Sequence, residues 1–330
     1  VLAAATHGVD GFIAQQGGDA GRVLGSVGLS EQSLGARRLP LDLAAYCALM
    51  ELAAQDTQNG NFGLWFGQQF QPEALGLIGD IALASPTLGA ALDNLSRLFP
   101  YHQQATQTRC WFDGSLMHLD YQILDGHIIA RRQDAELTMG MFVNLLRRLL
   151  GADWTPDEIH FEHPRPEAAK DHEQAFGAAV YFGQPTNGLL FRPPDLNQRT
   201  GRGDLARLTE LCAELTVLTG GPGAPSLLNR AKGEIRRSLA SGAPQIEQIA
   251  QALDLPRWTL QRRLADQGLT FSQAVEQVRQ DLSRLYLAQP HIPLADIAQL
   301  LGYSEVSAFS RAVKRWAGTS PARLRRNLVR

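Results

Sequence analysis

Between Gln245 and Pro321 the spacing of apolar residues is written twice. In one copy Ile246, Ile249, Ala250 and Leu253 are followed by a break at Asp254-Leu255-Pro256 and then by Leu260 and Leu264. In the other, Leu294, Ile297, Ala298 and Leu301 are followed by Gly302-Tyr303-Ser304 and then by Phe309 and Val313. Apolar positions three and four apart put one stripe of a helix against a core. Each copy therefore predicts a short helix, a three-residue turn and a second helix, so the pattern is a helix-turn-helix, twice. The turn residues agree: Gly302 can take the positive φ that ends a helix, Ser304 can cap the next one, and Pro256 fits a first helical turn, where its missing N–H costs nothing. Between the copies, residues 271–288 read as one long helix striped by Ala274, Val275, Val278, Leu282, Leu285 and Tyr286. Such a helix would hold the two copies at a fixed separation, and successive major grooves on one face of DNA lie about 34 Å apart. Burying Leu260 and Leu264 turns Arg257, Trp258, Gln261 and Arg262 outward; the same geometry turns out Val306, Ser307, Ser310 and Arg311. Arginine forks suit guanine or phosphate and glutamine suits an adenine edge.

The first two thirds of the chain follow other periods. A short helix is expected within residues 1–36, then helices over 42–55, at 64–67, over 75–83, and from Ser85-Pro86-Thr87-Leu88 to Phe99. Residues 109–112 and 116–123 alternate around Asp113-Gly114-Ser115, the signature of a β-hairpin. A long amphipathic helix is expected over 130–150, a strand over 158–163, a helix over 166–176, and a second hairpin pairing 179–182 with 188–191. Helices followed by a small antiparallel sheet with helices packed on it define an α+β domain. A last helix, 204–218, carries Leu205, Leu208, Cys212 and Leu215 at heptad-like spacing, too short a run to distinguish a coiled coil from core packing. The predicted division is an N-terminal domain at 1–218, a Gly/Pro-rich linker at 219–225 and an all-α domain of two helix-turn-helix motifs at 226–330.

Charge sharpens that division. Residues 231–330 hold 15 Lys and Arg against 8 Asp and Glu, a net +7, which leaves −9 for the rest of a chain whose total is −2. A basic domain carried by an acidic one suits a nucleic-acid reader attached to a part that stays off DNA. No run of eighteen apolar residues and no basic-then-apolar leader is present, so a cytoplasmic protein without a membrane partner is expected. The chain starts at Val1, so native N-terminal residues are expected to precede it. Cys47, Cys110 and Cys212 have no paired spacing and predict neither a disulfide framework nor a zinc site. His160 and His163 sit three apart on a predicted strand and so face opposite ways. Gly76 and Gly79 lack the lysine of a phosphate loop, and no nucleophile or dinucleotide motif appears, so neither catalysis nor a cofactor is expected.

At this level of detail residues 226–326 resemble the DNA-binding domain of AraC/XylS-type transcription regulators. The resemblance rests on Ile297-Ala298, Gly302-Tyr303-Ser304, Phe309 through Trp316, Gly318 and Ser320-Pro321, and on Trp258, Leu260-Gln261-Arg262 and Gly268 of the first copy. It implies that Trp258, Gln261 and Arg262 read one groove and Ser307, Ser310 and Arg311 the next. Val306 stands where many relatives carry a polar residue, which points to a thymine methyl or DNA shape at that head. Residues 35–195 resemble the sensor of the subgroup that includes ornithine-utilisation regulators, through Phe70-Gln71-Pro72, Gly76, Ser85-Pro86-Thr87-Leu88, Phe161 and His163-Pro164-Arg165-Pro166. The implied protein is a homodimeric regulator of transcription, an activator working with RNA polymerase on double-stranded DNA and controlled by a small-molecule effector. An architectural DNA-binding protein and an enzyme fused to a DNA-binding domain are the competing readings. An effector site is expected between the sensor's helices and sheet among Trp65, Phe70, Phe99, Tyr101, Trp111, Tyr121 and Phe142. Asp134, on a helical face with Thr138, Met141, Leu145 and Leu149, adds a carboxylate that would suit an amine or amino-acid metabolite; the helix dipole alone also favours an acid there.

Overall fold

The computed structural model describes residues 1–201, 203–220 and 225–329. The N-terminal domain opens with three short helices, α1 (Val9–Gln15), α2 (Ala20–Ser26) and α3 (Glu31–Gly35), where one had been expected. Then come α4 (Leu43–Asp56), α5 (Phe62–Gln69), α6 (Leu77–Ala84) and α7 (Leu88–His102). Side-chain caps start several of them: Asp42 Oδ2 accepts from Ala45 N at 2.8 Å, and Thr87 Oγ1 accepts from Ala90 N at 3.2 Å. Helix α7 continues through Pro100 to His102, beyond the expected stop at Phe99.

Strands β1 (Thr106–Phe112) and β2 (Met117–Ile123) form the expected hairpin, closed by Asp113, whose Oδ1 accepts from Ser115 N and Leu116 N. Helix α8 (Arg132–Leu150) follows, then β3 (Glu158–Phe161), α9 (Lys170–Phe176), β4 (Ala179–Phe182) and β5 (Asn187–Phe191). Here the second expected hairpin is corrected. β4 and β5 do not pair; β5 inserts between β2 and β3, and the sheet order is β1-β2-β5-β3-β4. β4 runs parallel to β3, with Ile159 opposite Val180, so the sheet is mixed. The cause is α9: a helix between two neighbouring strands makes a crossover, and a crossover returns the chain in the same direction. Helix α8 packs between α5 and the sheet, buried on nearly every side, and its Gln133 bridges to α5 by accepting from Gly63 N at 2.7 Å. Helix α10 (Leu205–Thr219) lays Leu211 and Leu215 on α6, with Leu208 and Cys212 alongside, whereas Leu205, first of the expected stripe, is 66% exposed.

The expected linker at 219–225 falls in part, at 221–224, outside the described residues. A separate hydrophobic core, from Ala231 to Val313, gathers α11 (Leu227–Leu239), α12 (Ile246–Ala252), α13 (Arg257–Ala265), α14 (Phe271–Leu287), α15 (Leu294–Leu300) and α16 (Val306–Ala317), closed by α17 (Pro321–Leu328). Helices α12–α13 and α15–α16 are the two repeated units. Their turns are conformational twins: Asp254 has φ 55° and Gly302 has φ 70°, both left-handed. The surroundings differ, because a Cβ at Gly302 would stand 2.4 Å from the Gly242 carbonyl oxygen.

That asymmetry predicts unequal responses. Gly302→Ala combines a strained φ with a backbone clash and should cost about 2 kcal/mol or more. Asp254→Gly exchanges relief of strain against extra unfolded-state freedom and should change stability by about 0.5 kcal/mol or less. Urea denaturation of the two variants checks both.

Candidate nucleic-acid interface and domain junction

The two outer helices present their expected faces to solvent. On α13, Leu260 and Leu264 are buried, whereas Arg257, Gln261 and Arg262 are exposed and Trp258 is 62% exposed, far above the norm for tryptophan. The Arg262 guanidinium lies over the Trp258 ring at 5.4 Å, a cation–π contact that aligns both outward. Arg257 is engaged with Glu247 at 2.7 Å. On α16, Phe309 and Val313 are buried, Val306, Ser307 and Arg311 are exposed, and Ser310 is half-buried. Ser307 Oγ donates to Glu305 Oε2 at 2.9 Å. Two α14 residues not singled out from sequence, Arg279 and Glu276, fasten this second unit to α14. Arg279 donates to Leu301 O at 2.8 Å and covers the Tyr303 ring at 4.4 Å, and Trp316 Nε1 donates to Glu276 Oε1 at 2.6 Å.

The other face of the C-terminal domain is docked on the N-terminal one. The loop after β2 lies on α11 at backbone distance: a Cβ at Gly126 would meet Lys232 Cβ at 2.4 Å, and one at Gly233 would meet Leu124 O at 2.6 Å. Gly126 N donates to Asn229 O at 3.2 Å. Beside this contact Arg131, at the head of α8, grips Glu162 with a two-bond fork, Nε to Oε1 at 2.6 Å and Nη2 to Oε2 at 2.9 Å. Arg236 of α11 approaches Glu162 Oε1 at 3.4 Å and donates to Ile129 O at 3.0 Å. All three side chains are buried. Burial alone would raise the Glu162 pKa, but Arg131 and Arg236 overcome it and hold the carboxyl at about 2. A second cluster lies further along α8, where Glu136 Oε1 accepts from Arg132 Nε at 2.7 Å and meets His172 Nε2 at 2.8 Å. Burial pushes Glu136 up as well, and Arg132 and His172 bring it down to about 2. Across the junction His291 Nε2 reaches Arg165 O at 3.0 Å, and a cleft of about 630 Å³ opens between the domains.

Two family models cover most of this architecture. The arabinose-binding domain of AraC transcription regulator, N-terminal, matches residues 17–200, and a helix-turn-helix domain matches residues 249–327. The chain belongs to the AraC family of transcription regulators. It is a DNA-binding regulator rather than an enzyme. The HTH-type transcriptional regulator VirS of Mycobacterium tuberculosis (strain H37Rv) is 30% identical over 301 residues, 86% of this chain and 84% of its own. The ornithine utilization regulator of Pseudomonas aeruginosa is 29% identical over 270 residues, 79% of this chain and 77% of its own. The crystal structure of the transcriptional regulator CdpR from Pseudomonas aeruginosa aligns over 92% of this chain and 97% of its own, at 20% identity and a TM-score of 0.43, too loosely to transfer any detail of a site.

Inside the sensor of this AraC-family regulator, the residues expected around an effector do not gather about one cavity. Phe99, Tyr121 and Phe142 pack edge to face, with Phe99 and Phe142 centroids 5.1 Å apart, and Phe70 packs on Phe66. Trp65 and Tyr101 are half-buried. Trp111 is exposed, because it lies on an edge strand, where it stacks on His118 at 4.2 Å. Asp134 does face inward, but its oxygens are taken: Oδ2 accepts from Tyr121 Oη at 2.7 Å and Oδ1 from Gln103 Nε2 at 2.9 Å. The two clefts at the domain junction, of about 630 and 540 Å³, are lined by none of these eight residues. Large rings in a well-packed domain are consumed as core, and each Asp134 oxygen already accepts one hydrogen bond from it.

Burial pushes the Asp134 carboxyl up to about 6, against the opposing pull of Tyr121, Gln103 and Arg131. A carboxyl whose folded pKa is raised favours the folded state most below its unfolded value, about 3.9, and that contribution is lost as pH rises through about 6. Relative to Asp134→Asn, the wild-type chain should therefore lose about 2 kcal/mol of stability between pH 4 and pH 6.5. Denaturation of both proteins across that range isolates the effect.

Proposed function

We propose that the protein regulates transcription as a homodimer, each chain reading two successive major grooves and answering to a small metabolite. The first head is Arg257, Trp258, Gln261 and Arg262 on α13; the second is Val306, Ser307, Ser310 and Arg311 on α16. The observation that carries this reading is the exposure of both helix faces while the sensor occupies a different side of the same domain. In this proposal residues 1–218 sense, 219–225 connect and 226–330 bind DNA. Helix α14 spaces the heads, and the bonds from Arg279 and Glu276 to the second unit keep that spacing rigid. Arg257 exchanges its partner Glu247 for a phosphate on binding, whereas Arg262, already oriented over Trp258, reads a base. Val306 contributes apolar contact with a thymine methyl. The name of the ornithine utilization regulator supports a nitrogenous metabolite as the input. Activation through RNA polymerase belongs to the same proposal.

Arg262→Ala should weaken operator binding by about 1–3 kcal/mol and relax preference at one base pair. Arg257→Ala should weaken binding to all sequences evenly and reduce its salt dependence. Fluorescence anisotropy with operator and scrambled duplexes at several salt concentrations separates the two. Equal affinity for both duplexes in the wild type would favour an architectural DNA-binding protein instead.

A further inference from the structure

The junction cleft has the size of sites that hold small metabolites, and its walls come from both domains. Three arginines, Arg131, Arg132 and Arg236, meet two carboxylates, Glu162 and Glu136, which leaves one positive charge over. Three further carboxylates outnumber it. Glu51 on α4, Asp171 on α9 and Glu167 between β3 and α9 have no ion-pair partner among the described residues. Glu51 is half-buried and accepts backbone hydrogen bonds from Gln133 N, at 3.0 Å, and from Arg132, and Asp171 accepts a side-chain hydrogen bond from Asn61 Nδ2 at 3.0 Å. Burial raises the Glu51 pKa against the opposing pull of the Gln133 N–H and the Arg132 charge. The same cleft is also lined by apolar groups, Ile129 and Pro164 of the sensor and Leu285 and Tyr286 of α14.

A cleft with surplus negative charge and hydrocarbon in its lining selects a cation with an aliphatic body. We infer that the effector is an aliphatic amine bound in the interdomain cleft, its ammonium on the Glu51 and Asp171 wall and its carbon chain against Leu285 and Tyr286. This rests on the proposed control by a small molecule and moves the site out of the sensor interior. It also supplies a route for the signal. The helix that carries Leu285 and Tyr286 is the spacer between the two reading heads, so an occupant that touches both walls changes the relative favour of the docked and undocked arrangements.

Isothermal titration of the full chain with putrescine, n-butylamine, n-butyrate and n-butanol tests the assignment. Putrescine or butylamine should bind saturably, butyrate and butanol should not, and Glu51→Gln should weaken the amine by roughly tenfold or more. Ala288→Lys, an exposed substitution on the α14 wall of the cleft, should weaken the amine as strongly without disturbing either core. Amine binding that survives both substitutions overturns the location. Binding of butyrate in place of the amines overturns the charge assignment and leaves small-molecule control standing. If no probe binds, the inference fails; if in addition no metabolite of any charge alters melting temperature or operator affinity, small-molecule control fails with it.

Discussion

Glu162 carries the union of the two halves of this protein. It sits at the end of β3, is forked by Arg131 from the sensor and approached by Arg236 from the DNA-binding domain, and has almost no access to water. Taking three charges out of water is costly, and the cost is offset only because the fork geometry is good and Arg131 and Arg236 spend further N–H groups on the carbonyls of Ile123 and Ile129. Removing one member would leave the others buried and uncompensated, which typically costs about 3–5 kcal/mol. The facing glycines Gly126 and Gly233 let the backbones come close enough for that geometry to exist. Hydrophobic burial holds each domain together; the ion cluster and the backbone contact decide how one sits on the other.

In the proposed control, that arrangement places signal and target on the same elements. The loop at 124–129 and the head of α8 belong to the sensor, yet they touch α11 and border the cleft that α14 closes. Helix α14 also anchors the second helix-turn-helix unit through Arg279 and Glu276. A change at the junction therefore reaches the spacing element directly, with no need of a long relay of side chains through either core. Both outer helix faces remain free in this arrangement, so the docked sensor does not cover them.

What could be read from sequence followed how local the determinant was. The repeated units were legible because their signals lie within about twenty residues: apolar spacing, a turn residue with positive φ, and a solvent face left over. The α5, α6 and α7 helices and the first hairpin were legible for the same reason. Strand order was not. Whether β4 pairs with β3 or β5 depends on which neighbour is free in the assembled sheet, and the Pro185-Thr186-Asn187 turn between β4 and β5 imitates a hairpin although β5 crosses to β2. The sensor's interior is hidden for a different reason. Asp134 lies inward, as its helical face predicts, but its partners Tyr121 and Gln103 come from other elements, so no local pattern announces their hydrogen bonds. Glu162 carries no such signal beside the motif Phe161, His163-Pro164-Arg165-Pro166; the available hint is a pair of arginines, Arg131 and Arg132, heading a long amphipathic helix.

The most direct test of the account is differential scanning calorimetry of the full chain against Glu162→Gln. The wild-type domains, coupled through the buried cluster, should unfold in one cooperative transition. The variant should resolve into two, because the contact that couples them is broken while each hydrophobic core is intact. A Glu162→Gln protein that melts in the same single transition at the same temperature would show that the junction is held by something other than this cluster, and would contradict the account.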